Sequence, residues 1–160
     1  MSQFQPSNTL TFGHADAPHQ VWAVFNLGCS ETRDWFEAHF AELEKAVAAG
    51  RVQLHIQFWS KQKVPLVSGN VAHGYVDYTD PEAALDFTKA IFANLDALKA
   101  APDVRAYLET TYGVHHNPQT ELVDAQVGQA IAEAGITSVP TIVYDGQLYF
   151  DDTLEKVPAF

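Results

Sequence analysis

One stretch near the C-terminus decides the fold, and it reads Gly135-Ile136-Thr137-Ser138-Val139-Pro140-Thr141-Ile142-Val143-Tyr144-Asp145-Gly146. Residues 139–144 are largely apolar and β-branched, which is typical of a strand. The Asp145-Gly146 pair indicates a two-residue hairpin turn, so residues 147–150 are predicted as the partner strand. Pro140 has two interpretations. It can open an edge strand, or the Val139–Pro140 bond can be cis and expose the backbone of Val139 to an extended peptide.

The N-terminal half predicts a strand, a helix and a second strand. Residues 20–26 form an apolar run that is typical of a central strand buried on both faces. Apolar residues then recur at helical spacing over 31–49, and Gly50 is suited to end that helix. Residues 52–59 alternate as the second strand. A crossover of this length predicts two parallel strands with a right-handed connection.

The segment between these halves is predicted to be mostly helical. Pro and Asn residues at helix starts and Gly residues at helix ends predict helices over 81–97, over 102–111 and from Asn117-Pro118 to Glu133. Residues 61–70 are predicted to be irregular. The chain therefore divides into a unit made of residues 9–62 and 135–160 and an inserted helical subdomain over 63–134.

The N-terminus carries weaker signals. Residues 10–12 predict a short edge strand, and residues 1–8 are predicted to be a polar, poorly ordered start. That start has neither the basic nor the apolar region of a signal peptide, and no later run is long enough to span a bilayer. We therefore expect a protein of a reducing cytoplasm, or a periplasmic or secreted one if a signal peptide has been removed.

Composition limits the partners and the kinds of site. The 160 residues are 47% hydrophobic, enough for one domain with a core and an insertion, and the formal charge of -11 opposes binding to nucleic acid or to anionic membrane surfaces. A single cysteine allows no intramolecular disulfide and no cysteine-rich metal site. The adjacent His115 and His116 fit a solvated loop better than a metal site, so no metal is predicted.

Cys29 lies where the first buried strand gives way to a helix. Free amide groups at a helix start stabilise a thiolate, which is the nucleophilic form of cysteine. Glu31 opposes that charge. The alternative is a buried, inert cysteine, because free cysteine is among the most buried residue types. No histidine is placed beside Cys29 by the sequence.

Three stretches together resemble the bacterial DsbA-like branch of the thioredoxin superfamily. They are the lead-in Gly13-His14-Ala15-Asp16-Ala17-Pro18, the strand-to-helix junction over residues 25–36 and the segment over residues 135–146. The resemblance implies an α/β thioredoxin-like fold with a central mixed sheet, a C-terminal β-hairpin and a helical insertion. It also implies an active site with Cys29 as the attacking thiol and Val139 and Pro140 as the cis-proline segment. Gly28, Ser30 and Glu31 would help to bind the substrate.

The active-site sequence departs from the pattern of that family. The family has Cys-x-x-Cys, whereas this chain has Cys29-Ser30-Glu31-Thr32. Without the second cysteine, Cys29 cannot resolve its own mixed disulfide. The Thr32 hydroxyl can still donate a hydrogen bond to a Cys29 thiolate, so Thr32 is predicted as its catalytic partner.

Three functions remain open. The first is monothiol thiol–disulfide exchange, of reductase or isomerase type, on a disulfide-containing or thiolated protein or peptide. No cofactor is tightly bound in this hypothesis, and glutathione or another small thiol resolves the mixed disulfide. The second is a redox-inactive module that binds a peptide or protein. The third is a glutathione transferase or isomerase similar to the kappa class. The sequence favours the enzyme slightly and does not indicate the oligomeric state.

Overall fold

A five-stranded mixed sheet forms the centre of the computed structural model, which describes residues 3–160. The strands lie in the order β1-β3-β2-β4-β5, and only β2 and β3 run parallel. The strands are β1 Leu10–Phe12, β2 His19–Phe25, β3 Val52–Phe58, β4 Thr141–Tyr144 and β5 Gln147–Phe150. The helices are α1 Ser30–Ala48, α2 Val67–His73, α3 Pro81–Ala93, α4 Leu95–Ala100, α5 Val104–Tyr112 and α6 Thr120–Ala134. The predicted α/β thioredoxin-like fold is confirmed.

Strand β2 is the central strand because its side chains are apolar on both faces. Val21, Ala23, Val24 and Phe25 are fully buried. Helix α1 connects β2 to the parallel strand β3 and buries its aromatic stripe, which includes Phe36. The ring of Phe36 packs edge-on against Phe25 with 5.8 Å between ring centroids. The predicted strand, helix and strand of the N-terminal half are confirmed within one residue at each end. This arrangement places the start of α1 at the end of the central strand.

The C-terminal hairpin turns at Asp145 and Gly146. Both residues have positive φ values, 46° and 86°, as the two-residue hairpin turn requires, and Gly146 adopts this conformation without steric cost. Asp145 also accepts a hydrogen bond from the backbone N of Gln20 at 2.8 Å, which ties the turn to β2. The predicted hairpin is confirmed, although β4 begins at Thr141, after Val139 and Pro140. A 3₁₀ segment, Asp151–Lys156, follows β5.

Three predictions about the helical segment were wrong. Residues 61–70 are not irregular throughout, because a 3₁₀ turn, Val64–Leu66, leads into α2. The helix predicted over 81–97 is two helices, since the backbone leaves the helical region at Asn94 and its side chain donates to Ala90 O. The helix predicted from Pro102 starts two residues later, because the side chain of Asp103 caps it by accepting from Ala106 N.

The N-terminal segment is ordered where the structure describes it, so the prediction of a poorly ordered start was wrong for residues 3–8. Residues 1 and 2 lie outside the described part. The Phe4 ring stacks on His55 with 4.1 Å between ring centroids. Asn8 is buried and its Oδ1 lies 3.4 Å from Nε2 of Gln57 on β3. Apolar stacking and a buried amide pair hold this segment against the sheet. Among the described residues, no helix combines the length and the hydrophobicity that crossing a membrane requires.

Candidate active site

Cys29 is the N-cap residue of α1, and its side chain is held between two backbone segments. The sulfur accepts a hydrogen bond from Thr32 N at 3.5 Å, and the thiol donates to Val139 O at 3.6 Å. The residue is 9% exposed. Backbone N–H groups at a helix start stabilise negative charge, so the bond from Thr32 N is available to a thiolate as well. The thiol therefore lies at a helix start and is reached from solvent through a cleft that it lines.

The segment before β4 forms the opposite wall. The Val139–Pro140 peptide bond is cis, and both residues are buried. The side chain of Thr141 donates to Ser138 O at 2.7 Å, which closes the turn that carries this bond. The carbonyl of Val139 points at Cys29 Sγ, so two of the three sequence segments that carried the resemblance meet at this atom pair.

Thr32 supplies its backbone rather than its hydroxyl to Cys29. Its side chain is fully buried, and Thr32 Oγ1 makes no hydrogen bond to any residue of the range 3–160. The expected bond from this hydroxyl to the sulfur of Cys29 is therefore not formed in this state. A buried hydroxyl without a partner lowers the folding stability by about 1–3 kcal/mol. The Thr32 hydroxyl is such a group, so it is a donor that no hydrogen bond in the described part of the chain uses.

A cleft of about 280 Å³ opens at the thiol. The structure brings five of the seven predicted site residues to its walls, namely Gly28, Cys29, Ser30, Glu31 and Val139. Thr32 and Pro140 are buried behind these walls. Ser30 and Glu31 are exposed, so they can contact a substrate, whereas Gly28 is buried. The predicted residues therefore form one compact site.

Asn26 fixes the loop that carries Cys29, and the sequence analysis did not single it out. Its Oδ1 accepts from Gly28 N at 2.8 Å, and its Nδ2 donates to Trp59 O at 2.9 Å and to Asn70 Oδ1 at 2.8 Å. The side chain is fully buried. An Asn two residues before a Gly is a local signal for such a turn, and that signal could have identified Asn26.

His73 supports the same loop from α2. Its Nε2 accepts from Leu27 N at 3.0 Å, so Nδ1 carries the proton and donates to Ser60 Oγ at 2.8 Å. Ser60 in turn donates to Asp124 Oδ1 at 3.1 Å. Complete burial lowers the pKa of His73 to about 3, so the ring is neutral at neutral pH. Burial raises the pKa of Asp124, against the opposing effect of the Ser60 hydrogen bond.

This chain of hydrogen bonds runs from the active-site loop to α6. His73 contacts the residue two positions before Cys29 and not Cys29 itself, so it orients the loop and does not form a Cys–His pair. No local pattern predicts this role of His73, because Leu27 and His73 are 46 residues apart.

Lysines line the outer part of the cleft, and the sequence analysis also missed these. They are Lys61, Lys63 and Lys99. Lys61 donates to Thr137 O at 2.7 Å and lies 5.4 Å from the Trp59 ring centroid. No local pattern marks the three lysines as a set, because they come from two different segments of the chain. Within residues 3–160, no group of three His, Cys, Asp or Glu side chains is placed to hold a metal ion.

The comparisons with known proteins agree with the thioredoxin-like fold. A family model described as Thioredoxin matches residues 6–160. A conserved protein of unknown function from Enterococcus faecalis is 31% identical, with a TM-score of 0.84 and coverage of 96% of this chain and 89% of that one. A search of curated proteins gives no match.

Two other solved structures are similar in fold. BdbD from Bacillus subtilis, in its oxidised form, is 16% identical with a TM-score of 0.69, and the match covers 97% of this chain and 93% of that one. A putative protein-disulfide isomerase from Pseudomonas syringae is 17% identical with a TM-score of 0.70, covering 97% and 96% of the two chains. At these identities the likeness shows the DsbA-like fold alone.

Proposed function

The chain belongs to the thioredoxin family, and on that premise we propose that it catalyses thiol–disulfide exchange with Cys29 as its one nucleophilic thiol. The observation that carries the proposal is the position of Cys29 Sγ, which lies between Thr32 N and Val139 O at the open edge of a cleft. The name of the Pseudomonas syringae neighbour, a putative protein-disulfide isomerase, supports the same chemistry. Here the position of the second cysteine is taken by Thr32.

The first step forms a mixed disulfide. The Cys29 thiolate attacks one sulfur of a substrate disulfide, the new Cys29–substrate S–S bond forms and the old S–S bond breaks. The other substrate sulfur leaves with the electron pair and takes up a proton from water. Water takes up the proton of the Cys29 thiol before attack, and Thr32 N stabilises the resulting thiolate. In the resting state the thiol donates a hydrogen bond to Val139 O. The step conserves electrons, since one disulfide is exchanged for another.

The second step needs a thiol from outside the protein. A small thiol such as glutathione attacks the mixed disulfide, forms a new disulfide with the departing group and releases the Cys29 thiolate. The substrate of the whole cycle is a disulfide-containing or thiolated protein or peptide, and no tightly bound cofactor takes part. We propose a reducing compartment such as the cytoplasm, because the small thiol must be abundant there.

The test follows the mixed disulfide and the turnover together. A peptide carrying a glutathione mixed disulfide is incubated with glutathione, with and without the protein, while mass spectrometry follows Cys29. We expect the wild type to raise the rate at least about tenfold above glutathione alone and to carry a transient adduct on Cys29. The variant Cys29→Ser should show neither. A rate that is equal in the wild type and in Cys29→Ser would refute the proposal.

A second candidate, a redox-inactive binding module, is favoured by the apolar rim of the cleft. Val64 and Val67 are 86% and 56% exposed and flank the cleft-lining residues Pro65 and Leu66. Exposed apolar side chains beside a groove are typical of a protein contact. Tight binding of an unmodified peptide by a Cys29→Ala variant, without turnover by the wild type, would favour this candidate.

A further inference from the structure

The cleft at Cys29 concentrates positive charge on a strongly acidic protein. The chain has a formal charge of -11 and nine lysine and arginine residues in all. Three of those nine, Lys61, Lys63 and Lys99, line this one cleft of about 280 Å³. A positively charged cleft on a negatively charged protein raises the local concentration of an anionic ligand and repels a cationic one.

Two of the three cations are unpaired. The side chains of Lys63 and Lys99 form no ion pair or hydrogen bond with any residue between 3 and 160. By contrast, Lys45 lies 3.5 Å from Glu42, and Lys89 lies 2.9 Å from Glu44. A cation without a carboxylate partner, on the wall of a cleft beside a nucleophile, is free to bind a negatively charged group of the reacting molecule.

The acidic residues of the cleft further limit which ligands it can bind. Glu31 and Asp151 also line it, and both are exposed. Neither forms an ion pair with the lysines in the described part of the chain. Three cations and two carboxylates together suit a molecule that carries carboxylates in excess of ammonium groups, as an amino-acid-derived thiol does.

We infer that the cleft binds a small thiol carrying carboxylate groups, and that this thiol is the group held on Cys29 in the mixed disulfide. The cleft volume of about 280 Å³ is close to the lower end of small-molecule pockets, which measure about 300–1,000 Å³, so the cleft suits a small ligand. In the step, Cys29 takes the small thiol from a thiolated protein, the protein thiolate leaves, and a second small thiol then releases the first as a disulfide. This inference rests on the proposed function and adds the substrate class to it.

The test compares small disulfides that differ in charge. Dithiodipropionate is anionic, hydroxyethyl disulfide is neutral and cystamine is cationic, and each reacts with Cys29 at a measurable second-order rate. We expect the anionic reagent to react at least about tenfold faster than the neutral one at low salt, and the cationic one to be slowest. The preference should shrink as salt is added, since exposed charges are screened.

Variants assign the preference to particular lysines. In Lys63→Gln/Lys99→Gln, the ratio of anionic to neutral rates should fall to about one, whereas Lys45→Gln, a lysine outside the cleft, should keep the wild-type ratio. Equal rates for all three reagents in the wild type would overturn the inference and leave the exchange chemistry intact. A disulfide-bearing acidic peptide that reacts faster than dithiodipropionate would overturn the assignment to a small thiol.

A binding measurement separates this inference from the proposed function. If no disulfide reacts with Cys29, the proposed function fails, and binding still decides the inference. The Cys29→Ala protein is titrated with S-methylglutathione by calorimetry, and we expect binding that Lys63→Gln/Lys99→Gln weakens about tenfold or more. No binding, or binding that both lysine substitutions leave unchanged, would refute the anionic cleft.

Discussion

The backbones of Gly28 and Gly69 lie in direct contact with each other. A Cβ atom added to Gly28 would be 2.7 Å from Gly69 N, and one added to Gly69 would overlap Gly28 N and Asn26 Oδ1. Gly28 precedes Cys29, and Gly69 belongs to α2, so the contact joins the active-site loop to the helical segment. Only a residue without a side chain permits this approach at either position.

The first prediction tests that contact with two glycines inside helices. Gly69→Ala should lower the free energy of unfolding by about 1–3 kcal/mol, because the added methyl group overlaps backbone atoms that cannot easily move. Gly128→Ala is the matched control on α6, where an added Cβ meets no atom within 4 Å. It should raise the free energy of unfolding by about 0.5–1 kcal/mol through helix propensity. Urea denaturation measures both, and equal effects would contradict the contact.

The same contact shows why the sequence predicted some elements and missed others. The turn at Asp145 and Gly146 was predictable because its conformation depends on those two residues themselves. The first four residues of helix α2, residues 67–70, were predicted as irregular because Pro65 and Gly69 are poor helix formers. In the structure the position of this helix depends on the packing of Gly69 against Gly28, which is 41 residues earlier in the chain. Local propensity carries no information about such a contact.

Some residues of the candidate site were also predictable from the sequence, and others were not. The position of Cys29 at the start of α1 was predictable, because it lies between a predicted strand and a predicted helix. The hydrogen bond from Leu27 N to His73 joins residues 46 positions apart, and Lys99 approaches the cleft from α4. These residues act through tertiary structure, so no spacing in the sequence marks them. Thr32 was identified, but its backbone and not its hydroxyl contacts the sulfur.

The second prediction concerns the pH dependence of stability. Burial lowers the pKa of His73 to about 3, whereas an unfolded histidine titrates near 6.5. Between these values the unfolded chain binds a proton that the folded protein does not, so stability falls as the pH is lowered from about 6.5 towards 3. One such group contributes a slope of up to about 1.4 kcal/mol per pH unit. The raised pKa of Asp124 acts in the opposite direction.

The variant His73→Gln isolates that contribution. Its amide oxygen can still accept from Leu27 N, so the fold should be retained with lower stability at pH 7. Chemical denaturation at several pH values should show a slope reduced by about one proton relative to the wild type. His14→Gln, at an exposed turn residue, serves as the control and should keep the wild-type slope. An unchanged slope in His73→Gln would show that His73 is not the responsible group.

The third prediction separates the two roles of Thr32. Thr32→Val keeps the shape and the backbone N–H of this residue and removes the buried hydroxyl that lacks a partner. We expect the free energy of unfolding to rise by about 1 kcal/mol. If the hydroxyl turns towards the sulfur once the thiolate forms, the reaction of Cys29 with hydroxyethyl disulfide should slow several-fold. A variant that is more stable and equally reactive would show that the hydroxyl does not assist the thiolate.

The fourth prediction restores a second thiol to the site. Thr32 N lies 3.5 Å from Cys29 Sγ, so the side chain at position 32 starts one helical turn from the nucleophile. In Thr32→Cys, the introduced thiol should attack the mixed disulfide on Cys29 and release the substrate without an external thiol. Release of the bound group within a single turnover should then not depend on the glutathione concentration, and the adduct seen by mass spectrometry should be replaced by a disulfide between Cys29 and the introduced thiol, which glutathione must reduce before the next cycle. Thr111→Cys adds an exposed thiol on α5, outside the cleft, and should retain the adduct and the full dependence on glutathione. If Thr32→Cys behaves like Thr111→Cys, the absence of a resolving cysteine is not what makes this site depend on a second thiol.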